Sequence, residues 1–192
     1  MESVRGRLSV GLLASLVLVF VLQWALVSVA IQRVTENYVA SRLGHEIENL
    51  LAALTVDGER QPSLAAPRHN PIYERAFSGH YFRIAWQEGV LRSRSLWDTD
   101  LAAPMLEPGQ RARLHLTGPE DQPLLVRVEG FRKQGVPLSI AVAEDLSEIH
   151  GDITRFQIRY ALVSGAFLVA LVALAGVVVR RSLAPLESAR RS

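Results

Sequence analysis

Residues 160–179 read YALVSGAFLVALVALAGVVV, with no charged side chain between Arg159 and Arg180. Residues 8–31, LSVGLLASLVLVFVLQWALVSVAI, repeat the pattern between Arg7 and Arg33. A helix needs roughly 20 apolar residues, at about 1.5 Å each, to cross a hydrocarbon layer about 30 Å thick. Both stretches reach that length, whereas a helix buried in a soluble core seldom runs so far without a charge. The sequence therefore predicts two transmembrane helices, 8–31 and 160–179, with 32–159 exported between them. The first stretch has a second reading, as a secretory signal: Arg5 and Arg7 form a basic lead, and Ser28-Val29-Ala30 has the small-x-small form of a cleavage site. Its apolar run exceeds the roughly 7–15 residues of a signal core, which favours an uncleaved anchor. On either reading 32–159 leaves the cytoplasm.

Working outward, charge sets the orientation. Arg5 and Arg7 precede the first span; Arg180, Arg181, Arg190 and Arg191 follow the second. Residues 32–159 hold 15 Lys/Arg against 17 Asp/Glu and are too long for the short-loop charge rule. Basic residues beside spans favour the cytoplasmic side, so 1–7 and 180–192 are both expected in the cytoplasm, in a multi-pass protein whose natural partner is membrane lipid. The sequence pI of 9.4 partly reflects those flanks. No basic stripe with interleaved aromatics occurs, so no nucleic acid is expected as a partner. Cysteine is absent among the 192 residues, and an exported domain without disulfides must be stable through its core.

The exported segment predicts an α+β domain: a long helix, a five-stranded antiparallel sheet and a C-terminal helix. Val34, Tyr38, Leu43, Ile47, Leu50, Leu51 and Leu54 keep helical spacing, without proline, as far as Asp57-Gly58. The first span and this helix are expected to form one rod. Residues 61–71 contain three prolines and read as a loop. Strands are expected over 81–86, 90–96, 111–116, 124–131 and 138–143, with turns at Gln87-Glu88-Gly89, over 118–122 and at Lys133-Gln134-Gly135. Ala112, Leu114 and Leu116 alternate with Arg111, Arg113 and His115, the period of a strand buried on one face. Helices are expected to cover one face of the sheet. Phe82, Ile84, Leu114, Leu116, Val126, Val128 and Ile140 are the expected core. Asp145, with Glu148 three residues on, predicts a capping box that opens the last helix, and Leu146, Ile149, Ile153 and Phe156 carry its apolar stripe into the second span.

Few residues point to chemistry, and no catalytic residue is expected. His45, His69, His80, His115 and His150 lack metal-ligand spacing, and no phosphate-binding loop or nucleophile elbow is present. Glu144, Glu148 and Asp152 recur every four residues; on one helical face they would make a candidate site for a divalent metal cation. A helix N-terminus also favours acids through capping and its dipole, which accounts for the same residues without a ligand. Asp98-Thr99-Asp100 has the same two readings, with a turn favoured. Arg83, Arg92 and Arg94 could form an anion site or pair with Glu88 or Glu129 across strands. Trp86 and Trp97 are expected in the core. Ala161/Gly165 and Ala166/Ala170 are small-xxx-small pairs in the second span.

The layout resembles the sensor half of bacterial two-component histidine kinases. Ser78-Gly79-His80-Tyr81-Phe82-Arg83-Ile84 and Leu91-Arg92-Ser93-Arg94-Ser95-Leu96-Trp97-Asp98 look like the sensor region of such proteins, whose exported domains are PAS-like. Arg180-Arg181-Ser182-Leu183-Ala184-Pro185-Leu186 looks like the entry to a HAMP linker. The resemblance implies an inner-membrane homodimer that transmits a periplasmic stimulus through residues 160–179 to a HAMP and kinase output. It further implies that ATP and a response regulator are met only by a kinase region beyond residue 192, and that residues 1–192, lacking phosphoacceptor and nucleotide-binding motifs, bind no cofactor themselves. A chemoreceptor, a membrane cyclase and a non-signalling membrane scaffold share the same layout.

Overall fold

A computed structural model describes residues 4–57, 60–64 and 70–188. Gly58 of the Asp57-Gly58 breaker, part of the expected loop, His69, and the first three and last four residues, including Arg190 and Arg191, lie outside the described residues. The chain divides into two compact units, Arg33–Gly151 and a pair of segments, Met1–Gln32 with Asp152–Ser192.

The first helix, α1 (Val4–Ala53), runs unbroken through residues 8–31 and on into the domain. In the domain, Val39, Leu43, Ile47 and Leu50 fall at helical spacing and are buried, which makes one face of α1 the wall of the core. Carbonyls of a last helical turn have no partner in the helix itself; Lys133 Nζ donates to Leu51 O and satisfies one of them. A two-stranded ribbon follows: β1 (Leu54–Val56), where helical spacing predicted helix as far as Asp57, and β2 (Pro62–Leu64), where the prolines predicted loop. A single 3-10 turn, Pro71–Glu74, opens with Asn70, whose side chain accepts from Ile72 N.

The main sheet comprises β3 (His80–Trp86), β4 (Gly89–Arg92), β5 (Arg111–Thr117), β6 (Pro123–Lys133) and β7 (Val136–Asp145). It is fully antiparallel in the order β4-β3-β7-β6-β5, so the last strand lies in the centre. Gln134 and Gly135 both have positive φ, the backbone a two-residue hairpin needs, and they join β6 to β7. The second strand ends earlier than the sequence predicted: Ser93 N still donates to Phe82 O, but Arg94–Leu96 is a 3-10 turn in which Leu96 N donates back to Ser93 O and the chain leaves the sheet.

Both faces of the sheet are buried, where the alternation predicted one. Phe82, Ile84, Leu125, Leu138, Ile140 and Val142 pack on α1. Tyr81, Val126, Val128, Ala141 and Ala143 pack beneath Leu96, Leu101 and Ala103 of the connection between β4 and β5, with Leu114 and Leu116 half-buried beside them. Irregular chain therefore does on one face what helix does on the other. The polar side of β5 is not simply solvated: Arg113 Nη1 donates to Asn37 Oδ1 of α1 at 2.9 Å, and His115 lies 3.9 Å from Glu36.

The last helix, α2, spans Ser147–Ser188. The expected start at Asp145 is corrected by two residues. Asp145 ends β7, pairing with Leu124, and its carboxylate accepts from the backbone N and Oγ of Ser147. It caps the helix from the strand, since its backbone hydrogen bond goes to Gly79 O. In the second unit, Gln23 Nε2 donates to Tyr160 Oη at 3.1 Å, and the rings of Phe156 and Tyr160 stack at 6.2 Å. Both α1 and α2 are long and apolar enough to cross a membrane, and their apolar windows are unburied: Leu26, Val163 and Phe167 are 72, 72 and 65% exposed.

Candidate functional site

A polar, partly enclosed space lies between α1, the Pro71–Glu74 turn and the end of the sheet where β3 begins and β7 finishes. Arg42 and Glu46 enter from one face of α1, Tyr73 from the turn, and His80 and Glu144 from the two strands. His80 and Glu144 are directly opposed in the register of β3 and β7, so their side chains share a face. The chamber has a volume of about 180 Å³ and shares Glu46, Asn70 and Tyr73 with a wider cleft of about 370 Å³ running down α1 past Asn49 and Ala53.

Its charges are arranged closely. Glu144 is 6% exposed, and its Oε1 accepts from Arg42 Nη2. A carboxylate so buried must be paired, which accounts for the half-exposed arginine folding over it. Burial pushes the Tyr73 hydroxyl well up, and its hydrogen bond to the neighbouring Glu46 adds to the rise. The phenol is therefore a donor throughout the physiological range. His80 is held below the ordinary histidine value, first by burial and then by Arg42, against the opposing pull of Asp145. Its Nδ1 is buried without a hydrogen-bond partner. Neutral imidazole, carboxylate and phenol thus face one small space.

The residues singled out in the sequence go to different places. Glu144, Glu148 and Asp152 do not share a helical face, because Glu144 belongs to β7; that premise of the cation site is corrected. Glu148 is exposed in the first turn of α2, and Asp152 is paired with Arg155. Among the described residues no group of three or more His, Asp or Glu side chains is placed to hold a metal ion. The three arginines turn to separate partners, Arg83 to Asp100, Arg94 to Glu74 and Arg92 to the carbonyl of Thr99, and do not converge. Glu129 instead takes Arg127 and Arg111. Trp97 is 66% exposed at φ 56°, outside the core, whereas Trp86 packs against it. Arg42, Glu46 and Tyr73 were not foreseen. Their only signal was negative: polar residues off the apolar stripe of α1, and an Asn-Pro turn.

The chain is 39% identical to the sensor protein kinase CarS of Pseudomonas aeruginosa over 191 residues, 99% of its own length. Its similarity to that sensor kinase runs along nearly the whole chain. The match covers 42% of CarS, so the chain spans less than half the length of that relative. No protein-family model matches, and no solved structure does.

Proposed function

We propose that this chain is the signal-input module of a two-component sensor histidine kinase. In that reading 1–7 is cytoplasmic, 8–31 and 160–179 span the bacterial inner membrane, 32–159 is a PAS-like periplasmic domain, and 180–192 enters a HAMP linker. The observation that carries it is the homology to a sensor kinase along nearly the whole chain. A folded α+β unit flanked in sequence by two apolar helices supports the membrane topology, and a five-stranded antiparallel sheet with a helix on one face supports the PAS-like assignment. A β-carbon at Gly165 would meet nothing within 4 Å, which leaves room for a second copy to approach α2 in a homodimer. ATP, phosphotransfer and the response regulator belong to the kinase region that follows in the full-length protein.

Two measurements test this. Reporter fusions after Ser192 should be active in the cytoplasm and fusions near Gly118 outside it; a cytoplasmic signal at Gly118 would sink the two-span topology. The full-length protein, given labelled ATP, should acquire phosphate that is stable to base and labile to acid, as on histidine. Phosphate with the stability of a serine ester would overturn the histidine-kinase assignment.

A further inference from the structure

We propose that the chamber bounded by Arg42, Glu46, Tyr73, His80 and Glu144 binds a small organic cation through a primary ammonium group. Three observations lead there. The chamber carries excess negative charge: from α1 come one guanidinium and one carboxylate, Arg42 and Glu46, and from β7 comes the Glu144 carboxylate. His80 and Tyr73 are held in their neutral forms, so neither offsets it. A monocation does, and an anion would add to the imbalance.

The second observation is a count of hydrogen bonds. Glu144 has given Oε1 to Arg42 and retains Oε2, and Glu46 takes the Tyr73 hydroxyl and has further lone pairs. Two carboxylates with acceptor capacity to spare therefore line one space, and an ammonium group has three N–H donors and no acceptor. The third is shape. A chamber of about 180 Å³ holds on the order of six waters or a short carbon chain. Leu43, Ile72 and Ala143 supply apolar wall, and the wider cleft gives the tail an exit. A divalent metal fits less well, since among the described residues no three His, Asp or Glu side chains are placed to hold one.

The site lies one residue from the cap of α2, so it would serve as the stimulus site of the sensor proposed above and deepens that reading. Binding is therefore measured directly rather than through kinase output, so that failure here and failure of the sensor assignment are separate results. The 192-residue chain in nanodiscs is titrated calorimetrically at pH 8 with butylammonium, butyramide and butyrate. Saturable binding of butylammonium alone is expected. Glu46→Gln, which leaves the Arg42–Glu144 pair intact, should weaken it at least about tenfold, the worth of one charged hydrogen bond, with an unchanged circular dichroism spectrum. Absence of saturable butylammonium binding, equal binding of butyramide, or unchanged affinity in Glu46→Gln would each overturn the assignment. So would displacement of butylammonium by calcium or magnesium at lower concentration.

Discussion

Single residues fix distances that the elements cannot. Gly130 lies on β6 where the segment after β4 crosses the sheet: Gly109 N donates to Gly130 O, and Gly130 N donates to Gln110 O. A β-carbon there would sit 2.1 Å from the backbone oxygen of Glu107. Backbone cannot swing aside as a side chain can, so Gly130→Ala should cost at least about 1–3 kcal/mol, read as a lower urea midpoint at unchanged slope. Gly135, with φ 84° and nothing within 4 Å, needs glycine for its backbone alone. His80 gives a second expectation. Its value is lowered in the folded domain by burial and Arg42, so the unfolded chain takes up the proton first as pH falls. Below about pH 6.5 the unfolded state binds more protons and stability drops, until pH passes the folded value and the loss stops growing. His80→Gln should flatten that dependence between pH 7.5 and 5.5 in urea unfolding of the whole chain. An equally steep fall in the variant would assign it to other histidines.

At the scale of elements, α1 has two characters within one helix. Ile47 is fully buried against the sheet, whereas Tyr38 is 69% exposed. Ile47→Ala should therefore cost about 2–5 kcal/mol and Tyr38→Ala within about 0.5, compared by chemical denaturation. This contrast also marks what the sequence could say. The five strands and their hairpins were readable, because period-2 alternation and the turn residues Gln134-Gly135 are local signals. The stripe Leu43, Ile47, Leu50 was readable for the same reason. Burial of the second face was not: Leu96, Leu101 and Ala103 cover it from irregular chain, which has no period. Arg127 was hidden differently. It points to the helix side of β6, donates to Ala40 O and packs where a β-carbon at Gly44 would clash with its guanidinium. Nothing local in either segment announces that pairing. The chamber failed to show for the same reason, since its five polar residues come from four elements. Glu144 was seen as acidic but placed on a helix, because the acidic run across the end of β7 and the start of α2 mimics helical spacing.

At the scale of the whole molecule, the proposed signal must leave the domain through α2. The central strand β7 ends at Asp145, whose carboxylate holds the first residue of α2, and the helix then continues without interruption past Gly151 to Ser188. One glycine costs about 1 kcal/mol against alanine, too little to break a capped helix of 42 residues. A helix moves as a unit, so a displacement of β7 at Glu144 and Asp145 need not be absorbed before residues 160–179. Proline at Ile153 removes a backbone donor, and its ring clashes with the carbonyl one turn back, costing about 3 kcal/mol or more. Ile153 is only half-buried, so the change breaks the helix without opening the core of the domain. In the full-length protein, Ile153→Pro should therefore abolish stimulus-dependent autophosphorylation while the reporter near Gly118 stays outside and the basal rate persists. Ile153→Ala, which keeps the helix and removes only side-chain volume, should signal nearly as the parent does. Stimulus-dependent phosphorylation in the proline variant equal to that of the parent would show that the signal does not travel along a continuous α2.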